Sequence, residues 1–446
     1  MPSNKATTNA SALLLAFAAA LFAGRALAQQ TSAPAPAPAA RGVLDDSDDQ
    51  SARLPSLRSA RDTLMGISDF NAALNPALAA VEEHEKTPDP DYPKDLLALA
   101  RIQTEVGELE NAEGNYLKAI ELLEAAEGEF SITLVDPYRA LGRSYIKAAR
   151  YPEAITTLEE AQHISQRNLG LFNVEQAGLI DDITTAYLGI GDTVEARRMQ
   201  QERLDNAMKR FGADDPRVIP FRYQLADYYQ RSRLPGSARQ QYEAALKSQE
   251  TNHGSSDPEL LSPLRQLVRM DILLAQGEEA EAHSRLVAIL GENANIDPAE
   301  RGLSLALLGD WEIVTGNLAS ANAYYKQAWE SLGSKPDANV AEFFATPAML
   351  DFIAPLSPVD RGTQSKPYSW AEMVFSFDVS ADGRPFNVEI VGRQPPLTPL
   401  ESRYTRRLRE THFRPRLVAG EPVATDDVRF KHYFRFYVAE EDKDKD

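Results

Sequence analysis

The sequence predicts a mainly α protein: an α-solenoid of stacked helical hairpins followed by a small α+β domain of order strand-strand-helix-strand. Three observations predict it. Ala112, Ala154, Ala196 and Ala238 stand 42 residues apart, and Ala282 and Ala321 continue the series at 44 and 39. Five residues before each alanine is a turn position: Gly107, Ala149, Gly191, Arg233, Gly277 and Gly316. Beyond about Pro336 the apolar period falls from three-and-four to two, the change from a helix face to a half-buried strand. A fixed period of this length marks hairpins that bury a core by stacking, and such arrays as a rule bind rather than transform.

The 446 residues are 43% hydrophobic and 25% charged, enough apolar material for a sizeable core. The formal net charge of −19 speaks against nucleic acid or an anionic membrane surface as partner. The absence of cysteine excludes disulfides, thiolate metal sites, a cysteine nucleophile and a bacterial lipoprotein anchor.

Lys5, the apolar run Ala10 to Ala23 and Ala26-Leu27-Ala28 before Gln29 read as a cleavable signal peptide over residues 1–28. The apolar run is shorter than the roughly 20 residues that span a bilayer; an uncleaved anchor is the other reading. Export to the periplasm, with no stable membrane insertion after cleavage, is the expectation. Residues 29–55, with Ala-Pro alternation from Ala33 to Ala39 and the acids Asp45, Asp46, Asp48 and Asp49, read as a disordered linker. A helical segment is expected from Ser56 into Asn71 to Lys86, closed by the loop Thr87 to Pro93. The solenoid is placed at 56–335, with repeats over about 95–332.

Within each unit the apolar positions recur at three and four residues, as one helix face requires. Leu141, Gly142 and Tyr145 precede Ala149, and Ala154, Leu158 and Ala161 follow it. The third unit has Ile183, Tyr187, Gly191 and Ala196; the fourth has Leu225, Ala226, Tyr229, Ala238, Tyr242 and Ala245. Asp136-Pro137, Asp215-Pro216, Asp257-Pro258 and Asp297-Pro298 read as helix starts, aspartate at the N-cap and proline in the first turn. The third unit has Gly178 in place of that aspartate, and the fifth is read with Arg269-Met270 at the small-residue positions. These residues resemble the tetratricopeptide repeat, with Leu141-Gly142, Tyr145, Ala154, Leu158 and Ala161 matching well. Gly107, Ala112, Tyr116 and Ala119 match in the first unit, and Leu308-Gly309, Gly316, Ala321, Tyr325 and Ala328 in the sixth. The family's period is shorter, which implies a lengthened second helix and following loop.

In the last part, Glu372 to Val379 and Phe386 to Val391 alternate as strands around the turn Ser380 to Arg384. Leu400, Tyr404 and Leu408 have helical spacing, and Val428 to Val438 reads as a long final strand. This order, with Phe413-Arg414-Pro415 and Gly420-Glu421-Pro422-Val423, resembles the C-terminal domain of TonB-type energy transducers, here over 336–438 with its connecting segment. The resemblance implies a periplasmic domain that pairs a receptor peptide with a strand edge, within Val428, Phe430, His432, Phe434 and Phe436. Residues 439–446 are an acidic tail.

No histidine pair has metal-ligand spacing, and no HExxH, GxSxG, P-loop or Rossmann glycine pattern occurs. Catalytic, cofactor and metal residues are therefore expected to be none, and the protein is expected not to be an enzyme. Arg139, Arg143 and Lys147 stack at i, i+4 and i+8. By analogy with the repeat family they face a concave groove with Arg101, Tyr223, Asp227 and Arg231, suited to an acidic peptide or a carboxylate terminus. The alternative is a solvated face paired with local glutamates. Residues 361–437 hold 13 Lys and Arg against 9 Asp and Glu, so this end is basic beside an acidic array. The expected function is a periplasmic, non-enzymatic adaptor for protein or peptide partners; the alternative is a TonB-type transport component contacting an outer-membrane receptor. The final domain either binds a strand or caps the solenoid.

Overall fold

A computed structural model describes residues 50–84, 90–274, 281–335, 339–355, 368–394 and 400–437. The expected signal peptide, most of the linker, Thr87 to Asp89 of the loop, Gly277 and the acidic tail lie outside the described residues. Helix α1 (Gln50–Gly66) begins inside the stretch read as linker. The single helix expected from Ser56 to Lys86 is two, because Ser68 turns left-handed at φ 60° and Asp69 caps α2 (Phe70–Glu83) through the Ala72 N–H.

The first unit begins with α3 (Tyr92–Val106), and buried Asp95 in its first turn gathers what precedes it. Arg58 Nε donates to it at 2.9 Å, Arg61 at 2.6 Å, and His84 Nε2 lies 2.9 Å away. Burial opposes the Asp95 charge, but hydrogen bonds from Arg58, His84 and Arg61 outweigh it and hold the carboxyl below its ordinary value.

Five further hairpins follow α3 and α4 (Leu109–Glu127). They are α5 (Val135–Lys147) with α6 (Tyr151–Leu169), α7 (Ala177–Gly189) with α8 (Thr193–Phe211), and α9 (Ile219–Arg231) with α10 (Pro235–His253). The last two are α11 (Leu261–Leu274) with α12 (Glu281–Glu292), and α13 (Pro298–Thr315) with α14 (Leu318–Gly333). Second helices α4, α6, α8 and α10 have 19 residues each against 13 in α5, α7 and α9, which is where the long period goes. All six register alanines are buried. Gly107, Ala149, Gly191, Arg233 and Gly316 all take positive φ, from 57° to 94°, ending the first helix of their unit in a left-handed residue.

A second 42-residue series closes the second helices: Gly128, Gly170, Gly212 and Gly254, at φ 90° to 100° and ψ 145° to 166°. That region is open essentially to glycine alone. No atom lies within 4 Å of a Cβ built on Gly170 or on Gly114, which sits inside α4. Gly170→Ala should therefore cost about 1–3 kcal/mol through backbone strain, whereas Gly114→Ala should stabilise by about 0.5–1 kcal/mol. Urea midpoints of the two variants, moving in opposite directions, are the check.

Three residues after each of these glycines stands a capping residue, Ser131, Asn173, Asp215 or Asp257. Ser131, Asp215 and Asp257 accept a backbone N–H in the short 3-10 turn that leads into the next helix, and Asn173 accepts from Gln176 N at 3.1 Å. The third unit thus has its cap in Asn173, not near Gly178. Asp136 is no cap: it lies within the first turn of α5, and Ser131 does that work. Asp297 caps α13 directly.

The small positions where paired helices meet are Ala100, Gly142, Thr184, Ala226, Val268 and Gly309, all buried. A Cβ on Gly142 would stand 2.5 Å from Leu158, and one on Gly309 2.4 Å from Tyr325, so the second helix fills the space of the missing side chain. In the fifth unit Leu267-Val268 hold this position, 42 residues after Leu225-Ala226, and Arg269 is the next residue along the helix.

After α15 (Val340–Phe343) the chain forms β1 (Ala348–Met349), β2 (Tyr368–Val379), β3 (Pro385–Gln394), α16 (Glu401–Glu410), β4 (Phe413–Arg414), β5 (Arg416–Val418), β6 (Glu421–Val423) and β7 (Thr425–Tyr437). The main sheet is antiparallel, in the order β3-β2-β7, with Phe375 opposite Ile390 and Phe430. Ala371, Met373, Phe375, Phe377 and Phe434 point from it onto Leu400, which precedes α16, and onto Tyr404 and Leu408 of α16. The short pairs β1-β4 and β5-β6 connect this core to the array.

This end packs on the last hairpin. Leu417 and Phe344 belong to the array's core cluster, Phe344 stacks on Trp329 of α14, and Leu417 N donates to Phe344 O at 3.1 Å. Arg414 of β4 grips Asp310 of α13 in a fork, Nε to Oδ1 at 2.7 Å and the second nitrogen to Oδ2 at 2.5 Å. A terminal repeat otherwise exposes its apolar face, and here the final domain covers it.

Candidate functional site

The residue following each small position repeats through the first helices: Arg101, Arg143, Thr185, Asp227, Arg269 and Asp310. Because its neighbour points at the second helix, this side chain turns about 100° away from the hairpin core. The first five are exposed and Asp310 is buried. Four residues earlier on the same face stand Leu97, Arg139, Asp181, Tyr223, Arg265 and Ala306.

The stacked cations meet carboxylates of neighbouring units. Arg139 Nε donates to Asp182 of α7 at 2.5 Å, and Arg143 stands 3.9 Å from the other oxygen of the same group. Lys147 Nζ donates to the Glu105 carboxylate of α3 at 2.9 Å. Arg143, whose side chain is 65% exposed, is the least committed of the three. Arg101 is exposed and lines a groove of about 270 Å³ with Asp62, Met65, Leu97, Tyr116 and Asp136. Its walls are apolar and its rim carries both signs of charge.

In the fourth unit Tyr242 O–H donates to Asp227 at 3.0 Å and accepts from Gln230 Nε2 at 2.5 Å. The Tyr223 ring stands 5.5 Å from that of Tyr242, and burial pushes its hydroxyl pKa up to about 12. Arg231 is exposed in the last turn of α9. The structure therefore brings Tyr223 and Asp227 together, places Arg139, Arg143 and Lys147 in one stripe, and leaves Arg101 in a groove of its own.

The expected pairing strand is an edge of its sheet: β7 is bonded to β2, and no described strand pairs with its other side. Its side chains do different work. Phe434 is buried, Val428 and Phe430 pack against the same core, and His432 lies between Tyr404 and Phe352, its Nε2 3.3 Å from the Tyr404 hydroxyl. Phe436 pairs with Ser369 through the backbone, and its side chain lies outside the described residues. The open edge of β7 thus offers main-chain groups, while these side chains build the domain's core.

Sequence reasoning passed over Arg265 and Arg269, although a 42-residue step from Asp227 lands on Arg269. Nothing local signals the Arg414–Asp310 pair, whose partners are 104 residues apart. Among the described residues no three His, Asp or Glu side chains could hold a metal ion, and no helix is long and apolar enough to cross a membrane.

No protein-family model matches the chain, and no curated protein matches it. Solved structures of repeat proteins are similar to it. A Podospora anserina putative kinesin light chain with nearly identical TPR-like repeats is 18% identical, with a TM-score of 0.38 over 46% of this chain and 98% of that one. The C-terminal part of a TPR repeat-containing protein from Cytophaga hutchinsonii is 13% identical, with a TM-score of 0.41 over 63% and 97%. Pseudomonas aeruginosa pilF is 18% identical, with a TM-score of 0.32 over 66% and 98%. The repeat assignment itself rests on the chain's own 42-residue register.

Proposed function

We propose that this protein is a non-enzymatic periplasmic adaptor whose first-helix face binds an extended segment of a protein partner. One observation carries the reading. Five equivalent positions on that face, Arg101, Arg143, Thr185, Asp227 and Arg269, are exposed, and the sixth, Asp310, is buried under the chain's own Arg414. The face thus already receives one extended segment through a charged contact, and the equivalent side chains of the preceding units are exposed to solvent. Arg143→Glu should weaken partner binding about tenfold by reversing a charge-assisted contact, while stability moves by no more than about 0.5 kcal/mol because the side chain is exposed. Crosslinking in cells followed by titration of the captured partner is the test; an unchanged dissociation constant overturns the groove reading.

A second reading is favoured by the open edge of β7: a TonB-type transport component that pairs this edge with a receptor segment. The native N-terminus and cell fraction separate the two. A chain starting at Gln29 in the soluble periplasm supports the adaptor, and retention of Met1 to Ala28 with the inner membrane supports the transport component.

A further inference from the structure

We propose that Arg269 anchors an anionic docking site, taking a carboxylate from an extended acidic segment of the partner; this rests on the reading of the first-helix face given above. Arg269 is exposed and makes no hydrogen bond or ion pair among the described residues, although Asp310 stands within electrostatic reach. Asp310 is already engaged by other donors. Arg414 holds both its oxygens, and Tyr325 O–H donates to it at 3.0 Å. The other arginine of α11's face, Arg265, forms an ion pair with the Glu300 carboxylate at 2.6 Å and donates to Ser304 Oγ at 3.1 Å. One positive charge is left over.

Its surroundings press on that charge. Desolvation by the neighbouring protein lowers the Arg269 pKa against the pull of Asp310, and Arg414 and Arg265 add like-charge repulsion. An exposed guanidinium with no carboxylate partner among the described residues can take one in a charge-assisted hydrogen bond. Tyr242 lies within electrostatic reach of it, its ring 5.5 Å from that of Tyr223. The chain supplies the precedent one unit later, where the equivalent Asp310 takes an arginine from an extended strand.

The test titrates the full chain with two labelled glutamate-rich decapeptides, one ending in a free carboxylate and one in an amide, at low and at physiological salt. Both should bind, more weakly as salt rises. Arg269→Ala and Arg269→Glu should each weaken binding at least about tenfold with unchanged thermal melting. Arg198→Ala should not, since Glu195 and Glu202 on α8 already hold that side chain. Binding of both peptides places side-chain carboxylates at Arg269; binding of the free-acid form alone places a chain terminus there and overturns the acidic-segment form. Binding that ignores both Arg269 substitutions removes this site and leaves the broader reading standing. If neither peptide binds, the proposal falls, and partner capture with Arg143→Glu decides the broader reading independently.

Discussion

Replacing Arg414 by alanine should destabilise the junction between the array and its final domain by about 3–5 kcal/mol, the usual cost of stranding a buried charge. The stranded group is Asp310, whose side chain is 3% exposed and would keep only the Tyr325 hydroxyl as donor. Arg414→Lys should rescue little, because a single ammonium cannot reproduce a fork that meets both carboxylate oxygens. The guanidinium also lies 5.2 Å from the Phe343 ring and 5.7 Å from that of Phe344, so its loss opens an apolar seam as well. Removing both partners has a different sign: Asp310→Leu with Arg414→Met should be neutral or up to about 4 kcal/mol more stable, since no charge remains to be desolvated. Lys326→Ala is the comparison, because its contact with Glu421 is 3.8 Å long between side chains 60% and 66% exposed, and such pairs contribute about 0–1 kcal/mol. Thermal melting with hydrogen exchange at β4 and α13 reads all four variants. Arg414→Ala as stable as the parent would show that the fork does not hold the cap in place.

The parts of this fold legible in the sequence are those where one local rule repeats. Ala112 and its equivalents are buried because each meets the facing helix at one register position, and the left-handed turn five residues earlier recurs because each first helix must stop at the same height. The same register also carries Gly128, Gly170, Gly212 and Gly254, and the caps Ser131, Asn173, Asp215 and Asp257. Asp215 and Asp257 show in a search for the dipeptide Asp-Pro, but Ser131 and Asn173 are hidden from it, because serine and asparagine cap here without a proline beside them. The slip at Arg269-Met270 has a related cause: Val268 is larger than the alanine or glycine expected at a helix crossing, yet it fits with no exposure. The charged face was legible in its residue types but not in its pairing. Arg139 with Asp182 and Lys147 with Glu105 are contacts between units, set by how the hairpins stack. The Arg414–Asp310 fork lies beyond any local rule, since docking of two separately patterned domains creates it.

Phe434→Asp should unfold the final domain while leaving the helical array in place. Phe434 is 2% exposed and packs against Tyr404, ring centroids 5.4 Å apart, in the core that β2, β7 and α16 share. Removing a buried phenylalanine side chain alone costs about 3–5 kcal/mol. Aspartate adds a charge with no cation positioned to meet it, and desolvation forces it either to drag water into the core or to take up a proton. A sheet of three main strands and one helix has little reserve against such a loss. Phe434→Leu, which keeps the site apolar, should cost about 1–2 kcal/mol and leave the domain folded. Hydrogen exchange separates this outcome from the Arg414 result. Phe434→Asp should expose the amides of β2 and β7 together with those of Leu417 and Phe344, which pack against the last hairpin. Arg414→Ala should loosen β4 and α13 and leave the β2–β7 ladder protected. If Phe434→Asp left that ladder protected, this face of β7 would not be the domain's core, and its aromatic residues would be free for the strand-pairing surface. If both variants behave as expected, those side chains are spoken for, and only the backbone edge of β7 remains for a partner.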